Sequence, residues 1–509
     1  MTILIKNILL IDGANRPAVK ADVLVKNERI AAMGYFPGYK ATEIIDGMGA
    51  YLAPGFIDIN ASSDLYLTLF SNPSQKDFLF QGITTIIGGQ GGISLAPLLY
   101  GSLDLNKFYA NPYKINVDWH TMEEFLKTIN RRTLGVNFGT LTGHSTIRRA
   151  LIGDDFRDLT QKELEVFEYI LEKALSDGAF GISFDLNSPL TSFTPYKEIK
   201  SLLETVRKFK GLFSVKLRNV SDSTVYLKDA KDHFYDSVSE IVNLTKETGV
   251  RTQINNFSCL KGFEKDYQRS LELISENSAA ADVFFDIHPF DSSIVPLISF
   301  LPLWARRGNF SEIIKNLESN DILKKIKKDL LTLKAEEIKI FQAPSNEYLI
   351  GKTLKEFSEN RDLNYKDGLL ELMKLTKLRA ELIYKNLSLR RLSEALVNDR
   401  SIISSSAPSF NETYPGRKIA ESFQISSKIL ELIFKEKVMP IELAVKKMTS
   451  LPARQLGLKD RGMIRENYFA DLVLFRESKI ETVIVNGKIA VKNGEFQNAF
   501  GGKILRREI

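Results

Sequence analysis

The sequence predicts an α/β protein, a (β/α)8 barrel joined to a small β-sandwich built from both chain termini. Three observations carry this. Eight short apolar runs recur through the middle of the 509-residue chain, with helix-like stretches between most of them. Both ends share a different texture of short Ile-, Val- and Leu-rich runs broken by turn pairs. A Lys-, Glu- and Leu-rich stretch then interrupts the alternation before its last repeat. An open doubly wound sheet is the alternative topology for the same alternation. No GxGxxG follows the first run and no GxxxxGK[ST] occurs, so nucleotide chemistry is not indicated.

In chain order, the runs at 3–11, 22–26, 29–33 and 43–45 are separated by turns such as Asp12-Gly13 and Asn27-Glu28. The C-terminal runs at 471–475, 480–485 and 488–491 turn at Asn486-Gly487 and Asn493-Gly494. The two ends, 1–52 and 456–509, are therefore expected to fold together as the sandwich, leaving 53–455 for the barrel. The eight barrel strands are expected at 55–59, 84–87, 136–141, 181–184, 212–217, 251–254, 282–287 and 401–404. Between them, 160–175 carries Leu164, Phe167, Leu171 and Leu175 at helical spacing. It opens on a Thr160/Glu163 capping box and stops at Gly178. A second helix, 237–248, stops at Gly249. Residues 300–400 read as a helical insertion with few strands.

Composition excludes several classes. Hydrophobic residues at 44% and charged residues at 26% are ordinary for a globular chain, so disordered, collagen-like and disulfide-stapled proteins are excluded. A net charge of +6 over this length is mildly basic and is no nucleic-acid signature. The basic stretches 324–328 and 379–391 read as solvated helical faces. Cys259 is the one cysteine, so an intrachain disulfide or multi-cysteine metal site is excluded. Histidine-rich metal chemistry would need nearly all of His120, His144, His233 and His288. There is no run of 18 apolar residues, and Lys6 and Asp12-Gly13 break up the N-terminal one, so neither a membrane span nor a secretory signal is expected. A free thiol fits a cytoplasmic protein.

Ala53-Pro-Gly-Phe-Ile-Asp58 after a β-rich start resembles the barrel entry of the amidohydrolase superfamily. Ordered matches run nearly end to end: Gln81-Gly-Ile-Thr-Thr85, Gly143-His-Ser-Thr-Ile-Arg148, Gly178-Ala-Phe-Gly-Ile-Ser183, Leu301-Pro-Leu-Trp304, Lys447-Met-Thr-Ser-Leu-Pro-Ala453 and Ala470-Asp-Leu-Val473. Together they resemble the D-aminoacylase (N-acyl-D-amino-acid deacylase) family. The resemblance implies a TIM-like barrel, a terminal β-sandwich and an ancestor in which zinc at the C-terminal strand ends activates water against an amide carbonyl.

At the positions where the resemblance implies metal ligands, this sequence departs. The His-x-His after the barrel entry is matched by Asn60 and Ser62, and the bridging thiolate by Gly91. Two further histidines are matched by Lys216 and Asn256, and the Asp of Ser-Asp-Gly by Ser406. The lysine expected to neutralise a substrate carboxylate is matched by Ser258, and no His-Pro-Arg is recognisable in 411–417. Asn and Ser are poor zinc ligands, and Lys216 would set an ammonium where the ion belongs. No cofactor is therefore expected.

Asp64, Lys216, Arg218 and His288 remain as candidate ligand-binding residues, each weighed against a structural role. His144 reads as a structural hydrogen-bonded histidine and Cys259 as a buried inert thiol. A Ser–Lys hydrolase pairing Ser62, Ser405 or Ser406 with Lys216 is the least favoured chemistry. The expected function is a degenerate D-aminoacylase-like amidohydrolase, a pseudoenzyme that binds or scaffolds without metal-dependent N-acyl hydrolysis. The alternative is a divergent hydrolase of N-acyl-D-amino acids or related amides with altered or metal-independent chemistry. The expected partners are a small anionic or acyl-amino-acid-like ligand and a second copy or an active paralogue, with neither nucleic acid nor membrane.

Overall fold

The structure, a computed structural model, describes the chain apart from residues 101, 156, 189–190, 219–230, 307–309, 331, 411–423, 478 and 509, and apart from the side chains of 108, 231–233, 303 and 310. Eight parallel strands follow one another around the barrel in chain order. They are β1 (Phe56–Asp58), β2 (Ile83–Gly88), β3 (Asn137–Thr140, continued by Thr142–Gly143), β4 (Gly181–Asp185), β5 (Leu212–Lys216), β6 (Arg251–Ile254), β7 (Val283–Ile287) and β8 (Ser401–Ile403). The break at Leu141 lets β3 pair β2 with its first half and β4 with its second. Two main-chain bonds join the last strand end to the first, Ser406 N–H to Asn60 C=O at 2.9 Å and Ser62 N–H to Ala407 C=O at 3.2 Å.

Burial on both faces explains why the strands read as continuous apolar runs. Outward residues such as Phe138, Phe184, Phe213 and Phe285 pack against the surrounding helices. An inner cluster takes Ile57, Ile87, Leu212, Phe284 and Ile402 from five of the strands, with Leu141 at the break in β3 and Phe180 just before β4. The helix Gln161–Ser176 opens on the predicted box. The Glu163 N–H donates to Thr160 Oγ1 at 3.3 Å, and the Thr160 N–H donates to the Glu163 carboxylate at 2.8 Å. The helix Lys231–Thr248 stops as expected at Gly249, whose φ of +64° is left-handed.

Both termini build the sandwich. Strand Thr2–Leu10 lies at its centre, antiparallel to Val19–Lys26 and parallel to Glu43–Asp46 and Tyr51–Pro54. Leu472–Arg476 joins the C-terminal strands to Tyr51–Pro54. Ile5, Val23, Leu52, Leu472 and Ile484 share one core, so neither terminal segment buries its apolar face alone.

The insertion corrects the sequence expectation. It begins before residue 300 and is not only helical. Ser293–Pro296, Glu381–Tyr384 and Ile338–Gln342 form a three-stranded antiparallel sheet with Glu381–Tyr384 in the middle. Helices Asn320–Asp329, Leu354–Glu359 and Tyr365–Leu375 share its separate core of Ile338, Leu382, Phe357 and Leu372. Two of the strands are four residues long, and the central one is buried throughout, so no alternation marks it in the sequence. The basic stretch 379–391 accordingly contains a strand and a short 3-10 turn, whereas 324–328 lies on the predicted helix with Ile326 its one buried residue.

Candidate functional site

The C-terminal strand ends carry polar residues, while apolar side chains fill the barrel below them. Above the ends of β4, β5 and β6 lies a cleft open to solvent, roofed by the insertion. Asp185, Lys216, Asn256 and Ser258 line its barrel side, and Arg379 and Glu381 its insertion side. Leu105, Phe234 and Ile298 give it apolar wall. This is where a (β/α)8 barrel places its ligands.

Beside the cleft, a closed hydrogen-bond network joins the ends of β1, β6, β7 and β8. The Asn60 amide donates to Asn256 Oδ1 at 3.1 Å, to Ser406 Oγ at 3.0 Å and to Asp286 Oδ1 at 3.2 Å. The Ser406 hydroxyl also donates to Asn256 Oδ1. The same Asp286 oxygen accepts from the Asn256 N–H at 3.1 Å and the Ser404 hydroxyl at 2.8 Å, and the other oxygen from Gln253 Nε2 at 3.3 Å. Ser62 donates to the Ser406 carbonyl at 3.2 Å, and Ser405 donates to Asp58. Burial pushes the Asp58 carboxyl up to about 6 and raises Asp286 as well, against the donors that favour their ionised forms. Asn256 and Ser406 hold left-handed backbones, φ +53° and +55°. For a serine this is an uncommon conformation, and local strain of this kind gathers at binding sites.

Gly91 and Lys216 are neighbours. A Cβ on Gly91 would lie 3.7 Å from Lys216 Nζ, an ordinary van der Waals contact, so the two positions adjoin. Lys216 Nζ faces Asp185 at 3.8 Å across the β4–β5 register. Gln90 anchors this loop. Its amide donates to the Ile59 carbonyl at 2.6 Å, and its oxygen accepts from Asn255 Nδ2 at 2.9 Å. The six positions predicted from the sequence thus fall in two adjoining groups, Asn60–Ser62–Asn256–Ser406 and Gly91–Lys216.

The other candidates lie elsewhere. Asp64 is buried under the loop, where it accepts the Gly89 N–H at 2.5 Å. Glycine at 88 makes room for its carboxyl, which burial pushes up to about 6. The Arg218 guanidinium is held by Glu240 at 3.0 Å and by the carbonyls of Ser192 and Thr194, which is a structural arrangement. His288 lines a separate small cavity with Cys259, whose thiol burial pushes up to about 12. His144 donates or accepts at Glu198 Oε1, 2.8 Å away, and stacks on Phe184 at 4.1 Å, the structural role the sequence suggests. Residues 219–220 and 411–417 and the side chain of His233 lie outside the described residues.

Four residues of the site were not singled out from the sequence: Asp286, Asp185, Glu381 and Arg379. Asp286 and Asp185 stand at or next to the last residue of predicted strands, and that position was the available signal. Glu381 and Arg379 belong to the insertion, and nothing local marks them. Glu381 is buried and accepts the Tyr66 hydroxyl. Its carboxyl is pushed up to about 7 by burial, against the opposing pull of Tyr66 and Lys216.

No family model matches the chain. It is 27% identical over 489 residues to an N-acyl-D-aspartate deacylase of Alcaligenes xylosoxydans xylosoxydans, covering 95% of this chain and 88% of that protein. It is 26% identical over 522 residues to a D-aminoacylase of the same organism, covering 98% and 96%. Its fold matches the crystal structure of an N-acyl-D-glutamate deacylase from Bordetella bronchiseptica complexed with zinc and a phosphonate inhibitor, with a TM-score of 0.79 at 21% identity over 99% of each chain. The chain is thus similar over nearly its whole length to a D-aminoacylase and to an N-acyl-D-aspartate deacylase. Like an amidohydrolase, it combines a (β/α)8 barrel with a terminal β-sandwich. Among the described residues no three of His, Cys, Asp and Glu come together as a metal-binding group, and no helix is long and apolar enough to cross a membrane.

Proposed function

We propose that this amidohydrolase relative takes a small acyl-amino-acid-like anion into its cleft and does not perform metal-dependent N-acyl hydrolysis. The observation that carries the reading is the closed network at 60, 256 and 406. Zinc needs lone pairs from imidazole, thiolate or carboxylate. Here the Asn60 amide presents N–H groups to Asn256, Ser406 and Asp286, and Asn256 Oδ1 already accepts two donors. The nearby carboxylate, Asp286, is already held by four donors, three of them on one oxygen. Lys216 adds a positive charge, which repels a dication and attracts an anion. The residues present do not fit zinc.

A Ser–Lys hydrolase draws no support from the side-chain contacts. Ser62, Ser405 and Ser406 donate to the Ser406 carbonyl, Asp58 and Asn256, while Lys216 faces Asp185. What the chain's own residues offer a ligand is charge from Lys216, hydrogen bonds from Asn256 and Ser258, and apolar wall from Leu105, Phe234 and Ile298.

The test pairs two assays on the same preparation. Hydrolysis of N-acetyl-D-amino acids with added zinc is expected to stay at the uncatalysed rate. Calorimetry is expected to show saturable binding of the same compounds, weakened by Lys216→Ala. Turnover that a chelator abolishes would overturn the proposal.

A further inference from the structure

We infer that Arg379, carried to the cleft by the insertion, recognises the carboxylate of the ligand. The inference rests on the proposed function and names the residue and chemistry of that same cleft. Its basis is the distribution of charge around the cavity. Lys216, on the barrel side, has its charge shared with Asp185 at 3.8 Å. Glu381 stands two residues beyond Arg379 and lines the same cavity, but its carboxyl accepts the Tyr66 hydroxyl and forms no ion pair with Arg379. Among the described residues, Arg379 has no anionic partner and its side chain makes no hydrogen bond, although its own N–H is tied to the Thr376 carbonyl at 3.0 Å. The Ser258 hydroxyl, across the cleft, is buried and likewise without a described partner.

A half-buried guanidinium that no protein group claims keeps its donors open to the cleft and available to an anion. Its planar fork matches a carboxylate bidentately, which an ammonium cannot do. The apolar walls then take the remainder of an N-acyl amino acid. Recognition by Arg379 also divides the ligand contacts between two units of the fold, since the cation belongs to the insertion and Asn256 and Ser258 to the barrel.

The experiment is calorimetry with N-acetyl-D-leucine and its carboxamide, N-acetyl-D-leucinamide, on wild type, Arg379→Ala and Arg379→Lys. Wild type is expected to favour the carboxylate. Arg379→Ala is expected to lose about 10- to 100-fold affinity for it and clearly less for the carboxamide, which carries no charge, while the melting temperature reports that the variant is folded. Arg379→Lys is expected to recover part of the loss. If Arg379→Ala still discriminates as wild type does, or wild type shows no preference, the inference fails and the proposed function stands. If wild type binds neither compound, both fail.

Discussion

A single buried amide and a single buried carboxyl carry the sharpest consequences at the scale of the residue. Asn60 serves three acceptors at once. Asn60→Ala leaves Asp286 with three of its four donors and Asn256 Oδ1 with one of two. We expect a loss of about 1–3 kcal/mol in unfolding free energy, read from denaturant midpoints. Glu381 gives a pH signature. Its carboxyl moves from an ordinary 4.5 to about 7 in the fold, so folding favours the protonated form. Stability from this group is full below pH 4.5 and lost as pH rises through 7, the direction for an acid whose folded value is raised. The shift corresponds to roughly 3 kcal/mol. Glu381→Gln, which cannot ionise, should gain on wild type between pH 5 and pH 8 in unfolding measurements, and a pH-independent difference would contradict the assignment. The sequence marks Asn60 through its place after a barrel entry motif. Glu381 was not legible, because its neighbours in space are Tyr66 and Lys216, each more than 150 residues away in the chain.

Elements were the most legible level. All eight barrel strands lie where apolar runs of four to six residues predict them, because strands buried on both faces need no alternation and stand out against charged helices. The Thr160 box likewise has a purely local cause. Thr160→Ala should remove the bond from the Glu163 N–H and lower stability by about 1 kcal/mol, measured by thermal or urea unfolding. The insertion sheet escaped for the opposite reason. Strands such as Ser293–Pro296 and Glu381–Tyr384 are too short to show a period, and their pairing joins segments nearly 90 residues apart. Because Arg379 and Glu381 sit on that sheet's approach, missing it also hid half of the cleft.

At the scale of the whole molecule, a D-aminoacylase-like fold carries at its strand ends a polar network that satisfies itself beside a lysine. These positions are coupled in space. Gly91 adjoins Lys216, and Asn60, Asn256 and Ser406 complete one another's hydrogen bonds. Introducing one histidine with Asn60→His should therefore not create zinc binding, since one imidazole supplies one ligand of the several a zinc site needs. The central claim is tested most directly by the zinc content of the wild-type protein purified without chelator and dialysed against micromolar zinc. The account predicts well under one equivalent per chain and no change in melting temperature on adding zinc. One or two tightly held equivalents per chain, with chelator-sensitive stability, would contradict it.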